Sequence, residues 1–190
     1  MNKSTYLSYL LALIKTKAYA EEVIEKIDEL KESLYNKRID LDKKMNELFS
    51  FEMKEKIRSY SWQEQVNLND PESFGKFLLN LRSHIKNMPI VTFRIAFKPN
   101  GEIVDEVSGW FVENYGKNIL LDFVYDKSLI GGAVIIFNQK SRDFSLKKRL
   151  EERYKVEDWE KFVTRVRVKN MPAKTPQLNG ETIKQVVQVA

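Results

Sequence analysis

Cysteine is absent from the chain, and with it go any disulfide framework and any thiolate metal site. Histidine occurs once, as His84. A lone imidazole with no second histidine at ligand spacing assembles no metal set, and its place beside an apolar helical stripe is explained by packing at a surface boundary. Neither glycine nor proline occurs before Pro71, so the two strongest helix breakers are missing from the N-terminal part and a helical reading follows. The longest uninterrupted apolar run near the start, residues 10–14, falls far short of the ~20 residues a membrane span requires, and no secretory cleavage pattern follows it. No direct insertion into a bilayer is expected. Also missing are a Walker A glycine-lysine loop, GxSxG and HExxH. Asp122 and Asp126 invite an acid–base reading, yet strand polarity accounts for the first and a turn for the second. The expectation is a chain that is not an enzyme and carries no cofactor and no metal.

What the sequence does hold is enough apolar material to fold. Of its 190 residues 43% are hydrophobic and 31% charged, the proportions of ordinary globular proteins rather than disordered ones. A chain of this length supports one large core or two small ones. Net charge is +5, and residues 138–190 alone carry 13 Lys and Arg against 7 Asp and Glu. The basic excess therefore belongs to the C-terminal end, where it reads as a solvated face, with contact to an acidic partner or anionic lipid as the alternative.

In the N-terminal part, Ser4 stands where it can cap a first helix whose Leu7, Leu10, Leu11 and Ile14 repeat at helical spacing, before the polar residues Lys15, Thr16 and Lys17. A second helix from about Ala20 carries Val23, Ile27, Leu30, Leu34, Leu41 and Leu48 on a near-heptad stripe. Lys37 and Lys44 interrupt that stripe, with Arg38 and Asp40 nearby, which favours two or three bundle helices with a break between Tyr35 and Asp42 over one coiled-coil rod. Phe51, Met53, Ile57 and Tyr60 continue the apolar pattern, and residues 61–71 read as a connection. Asp70 or Ser73 can cap a last helix, residues 72–87, that buries Phe74, Phe77, Leu78, Leu81 and Ile85.

Met88-Pro89 closes the helical region, because a residue before proline is pushed out of the helical basin. Val91, Phe93, Ile95 and Phe97 then alternate with Thr92, Arg94 and Ala96 as a half-buried strand ended by Lys98-Pro99-Asn100-Gly101. Ile103, Val107, Trp110 and Phe111 fall on one face of a helix over residues 102–115, with Gly116 placed to stop it. Residues 118–125 alternate as a second strand, Ile119, Leu121, Phe123 and Tyr125 against Leu120, Asp122 and Val124. A third, residues 129–137, follows a turn at residues 126–128. These two are expected to form a hairpin, with Gly131-Gly132 marking a bulge or a close backbone approach. The order strand, helix, strand predicts a right-handed crossover with the first two strands parallel. Residues 138–141 read as the next turn, and Ser145 as the cap of a charged helix with Leu146 and Leu150 on one side.

Two of these stretches carry a family likeness. Asp126-Lys127-Ser128-Leu129-Ile130-Gly131-Gly132 is close to "D-P-S-L-I-G-G", with Lys127 in the place of proline. Arg142-Asp143-Phe144-Ser145-Leu146, with Leu150 beyond, is close to "D-x-S-(x)3-x-L". The strand at residues 92–99 and Tyr115-Gly116-Lys117 extend the likeness over about residues 89–153, which resembles the delta subunit of F-type ATP synthases, called the oligomycin-sensitivity-conferring protein in mitochondria.

The resemblance implies a two-domain adaptor. In that family the N-terminal helical bundle grips the N-terminal helices of the alpha subunits, and the second domain meets the C-terminal ends of the b subunits. This makes Tyr6, Leu10 and Leu13 the candidate alpha-subunit contacts. Gly131, Gly132, Asp143 and Ser145 are motif positions whose plain reading is fold maintenance. The implied place is peripheral, at the cytoplasmic face of a bacterial cell membrane, with no nucleic acid as partner. The expected fold class is α+β, with residues 1–88 an all-helical bundle, residues 89–156 a small α/β domain with a mixed sheet, and residues 157–190 a C-terminal extension beyond the family's usual end. Two alternatives stand beside this reading: a coiled-coil scaffold, and a nucleic-acid binder using the basic tail with Tyr154, Trp159 and Phe162, whose interleaved Glu151, Glu152, Glu157, Asp158 and Glu160 would repel phosphate.

Overall fold

Most of the N-terminal helices are started by a side-chain cap, which takes up backbone N–H groups that the first turn leaves without an intrahelical acceptor. The computed structural model describes residues 4–36 and 40–153, with seven helices and four strands among them. Helix α1 spans Ser4–Leu11. The start of α2, Lys17–Ser33, is set by Thr16, whose hydroxyl accepts from Tyr19 N. Asp40 caps α3, Leu41–Leu48, accepting from the backbone N–H groups of Asp42 and Lys43. Ser50 caps α4, Phe51–Gln63, and Asp70 caps α5, Pro71–Lys86, with the proline in the first turn where its missing N–H costs nothing.

Four helix limits differ from expectation. The first helix ends at Leu11, so the buried Ile14 lies beyond it in the connection to α2. The second helix begins at Lys17 rather than Ala20, because the Thr16 cap outranks the apolar periodicity. The apolar pattern across residues 41–60 hides a break at Phe49 and Ser50. The fourth helix runs on to Gln63, so Ser61 is a buried helical residue and not part of a connection. The expected break after Tyr35 is present: α2 ends at a Leu34 cap and α3 starts at Leu41, so no continuous rod forms. The cap expected at Ser4 lies outside the described side chains.

The chain divides into two compact units. Of the described residues, one gathers those up to Pro89 together with Phe111–Leu120, and the other gathers Ile90–Trp110 and those from Leu121 on. In the first, α1 packs on α4 and α2 on α5. Leu10, Ile14, Val23, Ile27, Leu30, Met45, Met53, Ile57 and all five predicted residues of α5 are buried in one cluster. Each large apolar side chain so buried contributes about 1.5–3 kcal/mol of transfer free energy. Phe74 stacks on Phe77 at 5.8 Å, and Tyr60 leans on Phe77 at 5.2 Å. Lys44, the interruption of the heptad stripe, is held by Glu29 at 2.6 Å and Glu47 at 3.3 Å, and the bond to Glu29 raises its pKa. His84 is half-buried on α5.

The second unit carries a four-stranded sheet of order β2-β1-β3-β4, built from β1 Ile90–Ile95, β2 Leu120–Tyr125, β3 Ala133–Phe137 and β4 Lys140–Asp143. Strand β1 alternates as predicted, with Val91, Phe93 and Ile95 buried. Helix α6, Gly101–Tyr115, buries Val107 and Phe111, and Gly116 ends it at φ +60 while its N–H donates to Val112 O at 2.8 Å. Leu120 N donates to Pro89 O and Asp126 N to Ile95 O, each at 2.8 Å. The offset between donor and acceptor is the same in both, as parallel strands require, so β1 and β2, joined through α6, run parallel as expected. The short helix α7, Leu146–Arg153, follows β4.

The predicted hairpin of residues 118–137 does not form. β3 pairs antiparallel with β1, with Phe93 opposite Ile135, on the side away from β2. The hairpin is β3–β4, with Ile136 opposite Ser141, and residues 140–143, partly read as a turn, are a strand. Its two-residue connection, Asn138 and Gln139, has φ of +48 and +64. Two successive positive φ values give a primed turn that matches the twist of its strands. Burial along β2 also departs from alternation. Leu120 and Leu121 are both buried while Val124 and Tyr125 are both exposed, because β2 is an edge strand covered at one end only.

Candidate functional site

The candidate contacts, Tyr6 and Leu10 on α1 and Leu13 in the turn that follows it, fall into two kinds. Leu10 has no exposed surface and belongs to the core of the helical unit. Tyr6 and Leu13 are half-buried and pack against that core from its margin. The same helix presents a residue that the sequence pattern passes over: Tyr9 is 55% exposed, with the Lys56 ammonium of α4 5.4 Å from its ring centroid. Further along α4, Phe51 is 77% and Trp62 79% exposed. Phe51, Glu55, Arg58 and Trp62 recur at helical spacing, opposite the buried Met53, Ile57 and Tyr60. Sequence reasoning placed Phe51 in the apolar pattern and Trp62 in a connection. The Ser50 cap starts the helix at Phe51, and helical spacing then puts both Phe51 and Trp62 on the face opposite Met53, Ile57 and Tyr60.

The motif of the second unit is a clasp. Asp126 accepts from Ser128 N at 2.9 Å and from Ser128 Oγ at 2.6 Å, and it pairs with Arg94 of β1. The Ser128 hydrogen bonds, then the Arg94 guanidinium, hold the Asp126 carboxyl below its ordinary range. Nothing in the sequence pointed to Arg94 as its partner; the parallel register brings it there. Asp122 meets Thr92 Oγ1 at 3.4 Å. The two aspartates thus have separate partners, and Asp126 is held as a charged acceptor, not as an acid.

Of the two motif glycines, backbone approach demands glycine at Gly132 alone. Gly132 has φ +79, and a Cβ there would lie 2.4 Å from Phe144 O. Only glycine fits. Around it, Phe144 N donates to Ala133 O at 2.8 Å and Leu146 N to Gly131 O at 2.9 Å. Asp143 accepts from Ser145 N at 2.7 Å, and the buried Ser145 hydroxyl accepts from Lys148 N at 3.2 Å as the cap of α7. The four motif positions therefore fasten the start of α7 against the entry to β3. Fold maintenance accounts for all of them.

Among the described residues no three His, Cys, Asp or Glu side chains converge as a metal site, and no helix is long and apolar enough to cross a membrane. Tyr154, Trp159 and Phe162, the aromatic residues of the nucleic-acid alternative, lie outside the described residues, as does the rest of the tail.

Comparison with known proteins bears on the same segment. Residues 74–155 match the family model described as "ATP synthase delta (OSCP) subunit". The chain is also similar to "ATP synthase subunit delta" of Vesicomyosocius okutanii subsp. Calyptogena okutanii (strain HA), 30% identical over 76 residues. That alignment takes in 40% of this chain and 39% of the relative, so the chain spans about two fifths of the curated relative it matches.

Proposed function

We propose that this chain, which belongs to the ATP synthase delta (OSCP) family through residues 74–155, is a stator subunit of a proton-translocating F-type ATP synthase. It links the catalytic head, through the alpha subunits, to the peripheral stalk, through the b subunits. Residues 1–88 act as the head-binding bundle, residues 89–156 as the stalk-binding domain, and residues 157–190 as an extension. The subunit sits peripherally, at the cytoplasmic face of a bacterial cell membrane. The observation that carries this reading is the family match itself, which runs from within α5 through the four strands and α7 and includes the Asp126–Ser128 turn and the Gly132–Ser145 clasp.

The work assigned to the chain is mechanical and non-catalytic. Rotary catalysis requires that the head not turn with the central shaft, so the joint must resist torque, and buried apolar contacts at an interface do this without bond making. On the bundle, Tyr6 and Leu13, with the neighbouring Tyr9, offer partly exposed surface to an alpha-subunit helix, while the buried Leu10 sets the position of α1 from behind.

The test is copurification of the tagged chain from gently solubilised membranes, together with proton-driven ATP synthesis in membranes from a deletion strain. Recovery of alpha, beta and b subunits, and loss of coupled synthesis on deletion, are the expected results. Coupling that survives deletion of the gene rules the stator role out.

A further inference from the structure

Strand β4 and the first two turns of α7 enclose a surface cleft of about 290 Å³, whose lining includes Arg142, Asp143, Phe144, Lys148, Arg149 and Glu152. Its charges fall into two groups. Asp143 already accepts from Ser145 N, and Lys148 faces Glu152 at 3.7 Å. Arg142 and Arg149 are exposed, and neither side chain has an ion pair or hydrogen bond among the described residues. Two guanidinia whose side chains take no partner among the described residues thus border one cleft, beside the half-buried ring of Phe144.

We infer that this cleft docks an acidic peptide segment of a partner protein, whose carboxylates pair with Arg142 and Arg149 while an apolar side chain of the same segment rests on Phe144. The planar guanidinium fork matches a carboxylate bidentately, which a point-charge ammonium does not. Asp143 and Glu152 decide against a polyanion. A nucleic-acid backbone or an anionic lipid surface presents phosphates at close, regular intervals, and some would meet those two carboxylates. A peptide places its carboxylates only where its sequence puts them. The volume, at the low end of the range of ligand pockets, suits a few side chains rather than an enclosed small molecule. The inference goes beyond the stator reading, which names no surface on the second unit, and it stands without it.

The experiment is a titration of the isotope-labelled full chain at low salt, followed by amide resonances. The probe is an end-capped synthetic peptide with two glutamates flanking a leucine, and its control has glutamines in their place. The glutamate peptide is expected to shift resonances of residues 142–149 and to bind roughly tenfold more tightly than the control. Combined Arg142→Gln and Arg149→Gln, at exposed positions that leave the remaining spectrum unchanged, should erase that difference. Equal responses to both peptides, or none, overturn the inference. So does a stronger cleft response to phosphatidylglycerol vesicles, duplex DNA or inorganic phosphate, which would make the ligand an anion other than a peptide. The outcome is separable from the copurification test: peptide binding without recovery of ATP synthase subunits keeps the cleft and removes the stator role, and the reverse removes only the cleft.

Discussion

The helical unit and the sheet unit are held by different means. In the first, fifteen buried apolar side chains from successive helices interdigitate, and side-chain caps fix where α2 to α5 start. In the second, the decisive contacts at the clasp are between backbone groups: Gly132 against Phe144 O, Phe144 N on Ala133 O, Leu146 N on Gly131 O. Side-chain cores give way by degrees, because neighbours relax into a small cavity. A backbone contact at 2.4 Å from a would-be Cβ has no such slack. The lesson is that the two units should respond differently to equally small changes of volume.

The largest effect is expected at Phe74, which is fully buried and stacked on Phe77. Phe74→Ala should cost about 3–5 kcal/mol in urea unfolding, whereas Ile27→Val, one methyl removed from the same core, should cost about 1 kcal/mol. A flat response across that pair would break the picture of a graded core. Next comes Gly132→Ala, where a single added methyl meets backbone at a positive φ and should cost about 3 kcal/mol. Gly131→Ala, whose Cβ would stand 3.9 Å from Leu146 Cβ, should fall within about 0.5 kcal/mol of the parent. Similar costs at the two glycines would dissolve the contrast between the units.

Caps lie between these extremes. Asp70→Ala removes the acceptor for Glu72 N and Ser73 N and should cost about 1 kcal/mol, with faster hydrogen exchange confined to the first turn of α5. The smallest effect depends on pH. The folded-state pKa of Asp126 lies below its ordinary value of 3.8. Its stabilising contribution is therefore complete above that value and is lost as pH falls through the lower, folded-state one. Asp126→Asn should lower the urea midpoint at pH 7 and bring variant and parent together in strong acid. A gap that persists below the folded-state pKa would assign the loss to geometry rather than charge.

The same contrast explains what could be read from the sequence. Helices are local, so α5, with its Asp70 cap and its stripe of Phe74, Phe77, Leu78, Leu81 and Ile85, was legible outright. So were the alternation of β1 and the Gly116 stop. Strand partnership is not local. Nothing in residues 118–137 says that β3 passes to the far side of β1, and the primed turn at Asn138 and Gln139 lacks the glycine that usually announces one. At the candidate contacts, the period of α1 identified which residues are apolar but not which are covered. Leu10 is buried while its neighbour Tyr9 is out, since coverage depends on where α4 lies.

Leu120 opens β2 and yet belongs to the buried cluster of the helical unit. During synthesis, that cluster must wait for a residue some thirty positions beyond the last bundle helix. Until the ribosome has delivered it, α1 to α5 hold an incomplete interior, and a fragment cut after Pro89 should be less stable than the same helices in the whole chain.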